Sequence, residues 1–276
     1  LIRTTSIPKY PLAIVDQPLI VVRPQSEAYS MRRSLAFAIA ALAVLLVTLT
    51  TRHYLQRHQP TAEFLIFGDV RPSCDQPYDL VPLTPVMLAQ MGSTAYHPAV
   101  VLGTGDYMCA WPDEPQEARR QFWRFQKLYP RHLIPRTILA HGNHEKGHTD
   151  TLIASRFTAT PYGWQDSAGI RVVWLPSDTD WQNRITPDWL QSALSFSGPL
   201  IVIRHEPWGS CGTRGDEWIR DQVRARRPRL TAFGHIHTVA LPSTTLQDCG
   251  RSVTLADNEI VIGNGGADGW EKSAGY

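Results

Sequence analysis

The stretch RTILAHGNHE, residues 136–145, sets a short apolar run directly before a polar loop that closes on Gly142-Asn143-His144-Glu145. A run of that length bounded by turn residues reads as a buried strand, which places the polar cluster at its carboxyl end. The arrangement recurs on both sides. EFLIF at 63–67 leads into Gly68-Asp69-Val70-Arg71, and AVVL at 99–102 leads into Gly103-Thr104-Gly105-Asp106. LIVI at 200–203 leads into Arg204-His205-Glu206-Pro207, and LTAF at 230–233 into Gly234-His235-Ile236-His237. Three more apolar runs, IRVVWL at 170–175, SVTLA at 252–256 and EIVI at 259–262, complete the expected strands. Amphipathic stretches lie between them. In Glu114–Tyr129 the residues Phe122, Phe125 and Tyr129 recur at helical spacing; in Pro187–Leu194, Thr186 is the N-cap and Pro187 opens the first turn. Strands alternating with helices predict an α/β or layered α+β domain. Asp257-Asn258, between the last two runs, predicts a two-residue hairpin turn and an antiparallel pair at the end of the chain.

Composition narrows the class. The chain has 276 residues, 43% of them hydrophobic and 19% charged, which excludes disordered and fibrous proteins. Its 27 basic and 25 acidic side chains are scattered rather than gathered on one element, which argues against a dedicated nucleic-acid binder. Residues 34–51, SLAFAIAALAVLLVTLTT, form an uncharged run of 18 residues. As a helix it would span roughly 27 Å at about 1.5 Å per residue, close to one hydrocarbon thickness. Met31, Arg32 and Arg33 precede it and no small-x-small cleavage site follows, so the expectation is an uncleaved signal anchor and contact with a membrane through this N-terminal transmembrane helix. Arg32 and Arg33 favour a cytoplasmic N-terminus, although Arg52 and Arg57 weaken the charge asymmetry. Residues 1–33 then read as a tail whose true start is Met31, residues 52–62 as a linker, and residues 63–276 as one catalytic domain whose C-terminus is truncated.

Five strand ends therefore bring Asp69, Asp106, Asn143, His205 and the pair His235 and His237 to one edge of a sheet, the carboxyl edge where open α/β sheets bind ligands. Oxygen and imidazole donors without thiolate suit Fe, Mn, Zn or Ni, and a carboxylate such as Asp106 can bridge two cations. Two divalent or trivalent metal ions are the expected cofactor. They would polarise a phosphoryl oxygen and lower the pKa of a water, with His144 beside Asn143 placed to protonate the leaving oxygen.

In this order the five clusters resemble the pattern of the calcineurin-like metallophosphoesterases, D-x-H, G-D, G-N-H-E/D, H and G-H-x-H, over about residues 63–266. The resemblance implies an αββα sandwich and hydrolysis of a phosphate ester substrate, phosphomonoesters ahead of phosphodiesters. It implies a first metal on Asp69, Asp106 and His237, a second on Asp106, Asn143, His205 and His235, and His144 as the catalytic histidine. Where the family usually has a histidine this chain has Arg71, which stays protonated and has no lone pair to give a cation. Arg71 is read either as a contact to phosphate oxygens or as a structural ion pair with an acidic neighbour such as Asp75. The segments around Trp123, Gly142–Glu145 and Asn264-Gly265-Gly266 look more like the purple acid phosphatase branch. That branch ligates through a tyrosine three residues after the bridging aspartate, a slot that here holds Cys109, with Tyr107 next to Asp106.

The same resemblance sets the loops of Cys74 and Cys109 side by side, and likewise those of Cys211 and Cys249. It thus implies two disulfides, Cys74 with Cys109 and Cys211 with Cys249, and a catalytic domain outside the cytoplasm. The alternative keeps Cys109 as a thiolate near the first metal. Glu145 reads as a residue that positions a ligand or as a solvated loop carboxylate. Trp181, Trp189, Trp208 and Trp218 read as core packing before they read as a substrate groove. The rival function is a catalytically degenerate domain of this fold that binds a phosphate-bearing ligand or a protein partner.

Overall fold

Period-two alternation in the strands splits the apolar side chains into two sets, and the chain buries both. A computed structural model describes residues 63–263 apart from 73, 75–82, 94–96, 111–112, 149–156, 158–159 and 211–214. The expected tail, membrane segment and linker lie outside the described residues, as do Asp75, Cys211 and Asn264–Gly266. Among the described residues no helix is long and apolar enough to cross a membrane.

Strands β1 (Phe64–Phe67), β2 (Val100–Gly103) and β3 (Thr137–Leu139) form a parallel sheet in that order. The larger sheet contains β4 (Gly163–Ser167), β5 (Ile170–Leu175), β6 (Leu200–Arg204), β7 (Leu230–Phe233), β8 (Val239–Ala240) and β11 (Glu259–Ile262), ordered β4-β5-β6-β7-β11-β8. Strands β5, β6, β7 and β11 run parallel, while β4 and β8 are antiparallel edges. Between the sheets lie Phe64, Ile66, Val100, Leu102 and Ile138 from the smaller one. They pack with Ile170, Val172, Trp174, Ile201, Ile203, Ile260 and Ile262 from the larger. The alternate residues face outward and are covered by helices. Leu65, Phe67, Val101 and Leu139 pack under α1 (Leu83–Met91) and α2 (Pro115–Leu128), with Phe122 and Phe125 buried. Val173, Val202, Phe233 and Val261 pack under α4 (Pro187–Leu194) and α5 (Glu217–Arg226), while a short α3 (Thr179–Gln182) precedes α4. The result is helix, sheet, sheet, helix, with both sheets buried on two faces as parallel strands require.

Helix α2 falls within the predicted stretch, and α4 starts as predicted, its Trp189 amide donating to the Thr186 hydroxyl at 3.2 Å. Two expectations need correction. The five strand ends belong to two sheets rather than one, and they meet because the sheets pack with their carboxyl ends at a common rim. The strands flanking Asp257-Asn258 do not pair with each other. Instead β10 (Arg251–Thr254) pairs antiparallel with β9 (Thr245–Asp248), turning through Cys249-Gly250. Those two residues have φ of 47° and 74°, the left-handed pair that a tight hairpin turn needs. In β10 only Val253 is buried, which suits a surface ribbon, whereas β11 is buried throughout and fits only between β7 and β8.

Candidate metal centre

Each candidate ligand sits one to four residues past the end of a parallel strand, where the ladder stops and the backbone is free to turn. Three of these turns are strained. Asp69, Asp106 and His235 have φ of 55°, 60° and 67°, a region costly for residues with a Cβ and concentrated at functional sites. Close approach is enforced by glycine: a Cβ on Gly142 would lie 2.1 Å from Asp106 Oδ1, and one on Gly105 would lie 2.5 Å from the His205 ring.

The structure brings Asp106, Asn143, His205 and His235 together. His205 Nδ1 lies 2.9 Å from the Thr104 carbonyl oxygen, which can only accept, so this nitrogen carries the hydrogen. Nε2 then faces two oxygens, Asn143 Oδ1 at 2.9 Å and Asp106 Oδ1 at 3.2 Å. His235 Nδ1 lies 3.2 Å from the same Asn143 oxygen. Converging lone pairs of this kind need a cation or a proton between them. Burial disfavours a charged imidazole, yet the Asp106 carboxylate, with Asp69 behind it, pushes His205 up to about 10. Burial by itself would raise Asp106, but His205, then His144 and Arg71, hold its carboxyl well below the usual carboxylate range. Asp106, Asn143, His205 and His235 thus fit a metal ion as donors.

Asp69 is fully buried, and both its oxygens accept the His235 amide hydrogen, at 3.0 and 3.1 Å. His237 Nε2 lies 3.5 Å from Asp69 Oδ1, so the sequence pair expected for a first cation is adjacent. Arg71 reaches the centre itself, its Nε lying 3.6 Å from Asp106 Oδ2, while the other acid considered for it, Asp75, lies outside the described residues. Cys74 and Cys109 form a disulfide with α-carbons 5.1 Å apart, so Cys109 offers no thiolate. Cys249 is also disulfide-bonded, while Cys211 is outside the described residues. Tyr107 turns into the core, accepting from the Gly105 amide at 3.0 Å and donating to the Ala140 carbonyl at 3.1 Å. Burial raises its phenol well above the ordinary value, so it is not an oxygen ligand in waiting.

His144 is half-buried, with Nε2 3.8 Å from Asp106 Oδ2 and Nδ1 3.2 Å from the Cys109 sulfur. Burial lowers its pKa to about 4, a pull that Asp106 offsets only in part. Glu145 is a buried clamp rather than a solvated carboxylate. It accepts from the amides of Gly142 at 2.7 Å, Asp106 at 2.9 Å, Tyr107 at 2.8 Å and Met108 at 3.3 Å, tying the β2 loop to the β3 loop.

The sequence reading missed Asp248. This buried carboxylate at the end of β9 lies 3.5 Å from Nε2 of His235, the ring nitrogen opposite the one facing Asn143, and also accepts from the Ser210 hydroxyl. Its only trace in the sequence is its place beside Cys249. A carboxylate behind a ligating imidazole fixes its tautomer and orientation. Asp248→Ala is therefore expected to weaken metal affinity by the about 10–100-fold typical of such partners, read by metal titration of the stripped protein. Affinity equal to the native chain would show that Asp248 does not support His235 as a ligand.

A family model described as calcineurin-like phosphoesterase matches residues 62–239. Among solved structures, a purple acid phosphatase from yellow lupin (Lupinus luteus) seeds is 14% identical with a TM-score of 0.49, the match covering 76% of this chain and 45% of the lupin chain. A mutant Vps29 from Entamoeba histolytica is 11% identical with a TM-score of 0.32, covering 72% of each chain. Vacuolar protein sorting 29 from Cryptosporidium parvum has the same 11%, 0.32 and 72% of each. This chain spans less than half the length of the lupin protein. No curated protein matches it.

Proposed function

The chain belongs to the calcineurin-like phosphoesterase family, and from that premise we propose that it hydrolyses phosphoric esters in a metal-dependent reaction, phosphomonoesters ahead of diesters. The observation that carries the reading is the convergence of His205 Nε2 and His235 Nδ1 on Asn143 Oδ1, with Asp106 Oδ1 beside them. A cation held by these residues supplies a Lewis acid for a phosphoryl oxygen and lowers the pKa of a water enough for attack at neutral pH. In the family pattern Asp69 and His237 would be the further donors to a second cation. The protein's own groups do the rest. Asn143 is exposed and His144, His235 and His237 are half-buried, so substrate phosphate reaches the centre from the side these residues line. Asp69, Asp106 and His205 close the floor. Arg71 brings a permanent positive charge to the Asp106 side of the centre, where a transferring phosphoryl group gains charge. His144 is placed to hand a proton to the leaving oxygen.

Location belongs to the same reading. The Cys74–Cys109 disulfide supports an oxidising compartment, and the run at residues 34–51 supports a single-pass anchor with the catalytic domain outside the cytoplasm.

The test is turnover of a generic aryl phosphomonoester and an aryl phosphodiester by the native, chelator-stripped and metal-restored protein. Hydrolysis lost on stripping and regained with metal, faster on the monoester, is the expected result. Metal bound in stoichiometric amount with neither ester turned over would replace this reading by that of a degenerate, ligand-binding domain.

A further inference from the structure

We infer that the centre holds one cation, on Asp106, Asn143, His205 and His235, and that the Arg71 guanidinium supplies the fixed positive charge that a second cation would bring. The inference deepens the metal-dependent reading above and rests on it.

The two halves of the cluster differ in what they offer. On one side, His205 Nε2, Asn143 Oδ1, Asp106 Oδ1 and His235 Nδ1 succeed one another at 2.9–3.2 Å. On the other side Asp69, Asp106 and His237 are the donors that remain among the described residues, and two features of the chain work against a cation there. The Asp106 oxygen turned away from His205 faces Arg71 Nε at 3.6 Å. Among its described residues the loop after Asp106 yields no further donor, since Cys109 is locked to Cys74 and the Tyr107 hydroxyl is spent on Gly105 and Ala140.

Arg71 is built in rather than passing through. It is 9% exposed, and its Nη1 contacts the Pro72 carbonyl oxygen at 3.3 Å and the sulfurs of Cys74 at 2.7 Å and Cys109 at 3.6 Å. The disulfide therefore forms part of the wall that holds the guanidinium. Its Nε has no hydrogen-bond partner among the described residues and is buried, so what remains for it is the charge of Asp106 and an anion entering the centre. A guanidinium cannot lose its proton to admit a metal, and a second cation beside it would meet a like charge in a site shielded from water. One divalent ion and one guanidinium leave the centre less positive than two divalent ions would, while retaining a planar fork that pairs with phosphate oxygens.

The experiment uses the purified full chain, stripped with chelator, reloaded with Mn²⁺ and freed of excess metal by gel filtration. Metal per chain is measured by mass spectrometry and the spin state by electron paramagnetic resonance, for the native protein and for Arg71→His. The native chain is expected to hold one Mn²⁺ with the six-line signal of an isolated ion. Arg71→His, which restores an imidazole donor and removes the guanidinium, is expected to take up two and to replace that signal with that of an exchange-coupled pair. Two coupled ions in the native chain would overturn the inference and leave the hydrolase reading standing, whereas no ion in the native chain would overturn both. A native chain with one ion whose Arg71→His variant folds and still holds one would show that Arg71 is not what excludes the second.

Discussion

His205→Ala is expected to empty the centre and to lower turnover by several orders of magnitude. The imidazole is the hub of the cluster. It is fully buried, anchored through Nδ1 on the Thr104 carbonyl, and its Nε2 reaches both Asn143 and Asp106. Alanine removes a donor to the cation and leaves the Thr104 carbonyl and the Asp106 carboxylate without it. The effect should exceed the about 10–100-fold expected for a residue that acts only through a ligand, such as Asp248. Asn143→Ala should behave in the same direction, since its amide oxygen faces both histidines. Folding must be separated from binding, because a buried group deprived of its partner costs about 1–3 kcal/mol. Thermal unfolding of the stripped native and variant proteins does this: metal should raise the native Tm and leave that of His205→Ala unchanged. A variant that keeps one metal per chain at native affinity would take His205 out of the centre.

Much of this centre could be read from the sequence because its residues obey a local rule. Each follows a short apolar run, and a polar cluster at the end of a parallel strand has few other reasons to be there. Asp69, Asp106, Asn143, His205, His235 and His237 all follow such runs, and the structure sets them about one rim. What the sequence hid depends on contacts distant in the chain. Strands β1–β3 and β5–β7 look alike as apolar runs, so nothing local reveals that they form two sheets rather than one. Strand β4, Gly-Trp-Gln-Asp-Ser, is an exposed edge without apolar alternation, held by its ladder to β5. Asp248 lies 13 residues past His235 on a ribbon with no motif of its own, and only the hairpin turn at Cys249-Gly250 carries it back to the imidazole. Glu145 was visible as part of the Gly-Asn-His-Glu loop, but its four amide partners belong to two loops and could not be counted in advance.

Replacing His144 by alanine is expected to separate catalysis from metal binding. Its ring stands on the Asp106 Oδ2 side of the cluster, 3.8 Å from that oxygen, and makes none of the short contacts among Asp106 Oδ1, Asn143, His205 and His235. Metal content should therefore stay native while kcat falls by about 10² to 10⁴, the usual contribution of a positioned acid or base. In the free chain burial holds this imidazole neutral above about 4. A dianionic phosphate bound beside it favours the imidazolium, so the proton it donates arrives with the substrate. Because the protonated form does the work in the complex, native kcat should fall on the alkaline side, and the variant should lose that limb of the profile. The defect should also depend on the leaving group. A nitrophenolate departs without a proton, whereas an alkoxide does not, so His144→Ala should be far more damaging on an alkyl phosphate than on a nitrophenyl phosphate. An equal loss on both esters with the alkaline limb intact would make His144 an electrostatic contact to phosphate instead of the acid, and loss of the metal would make it a ligand.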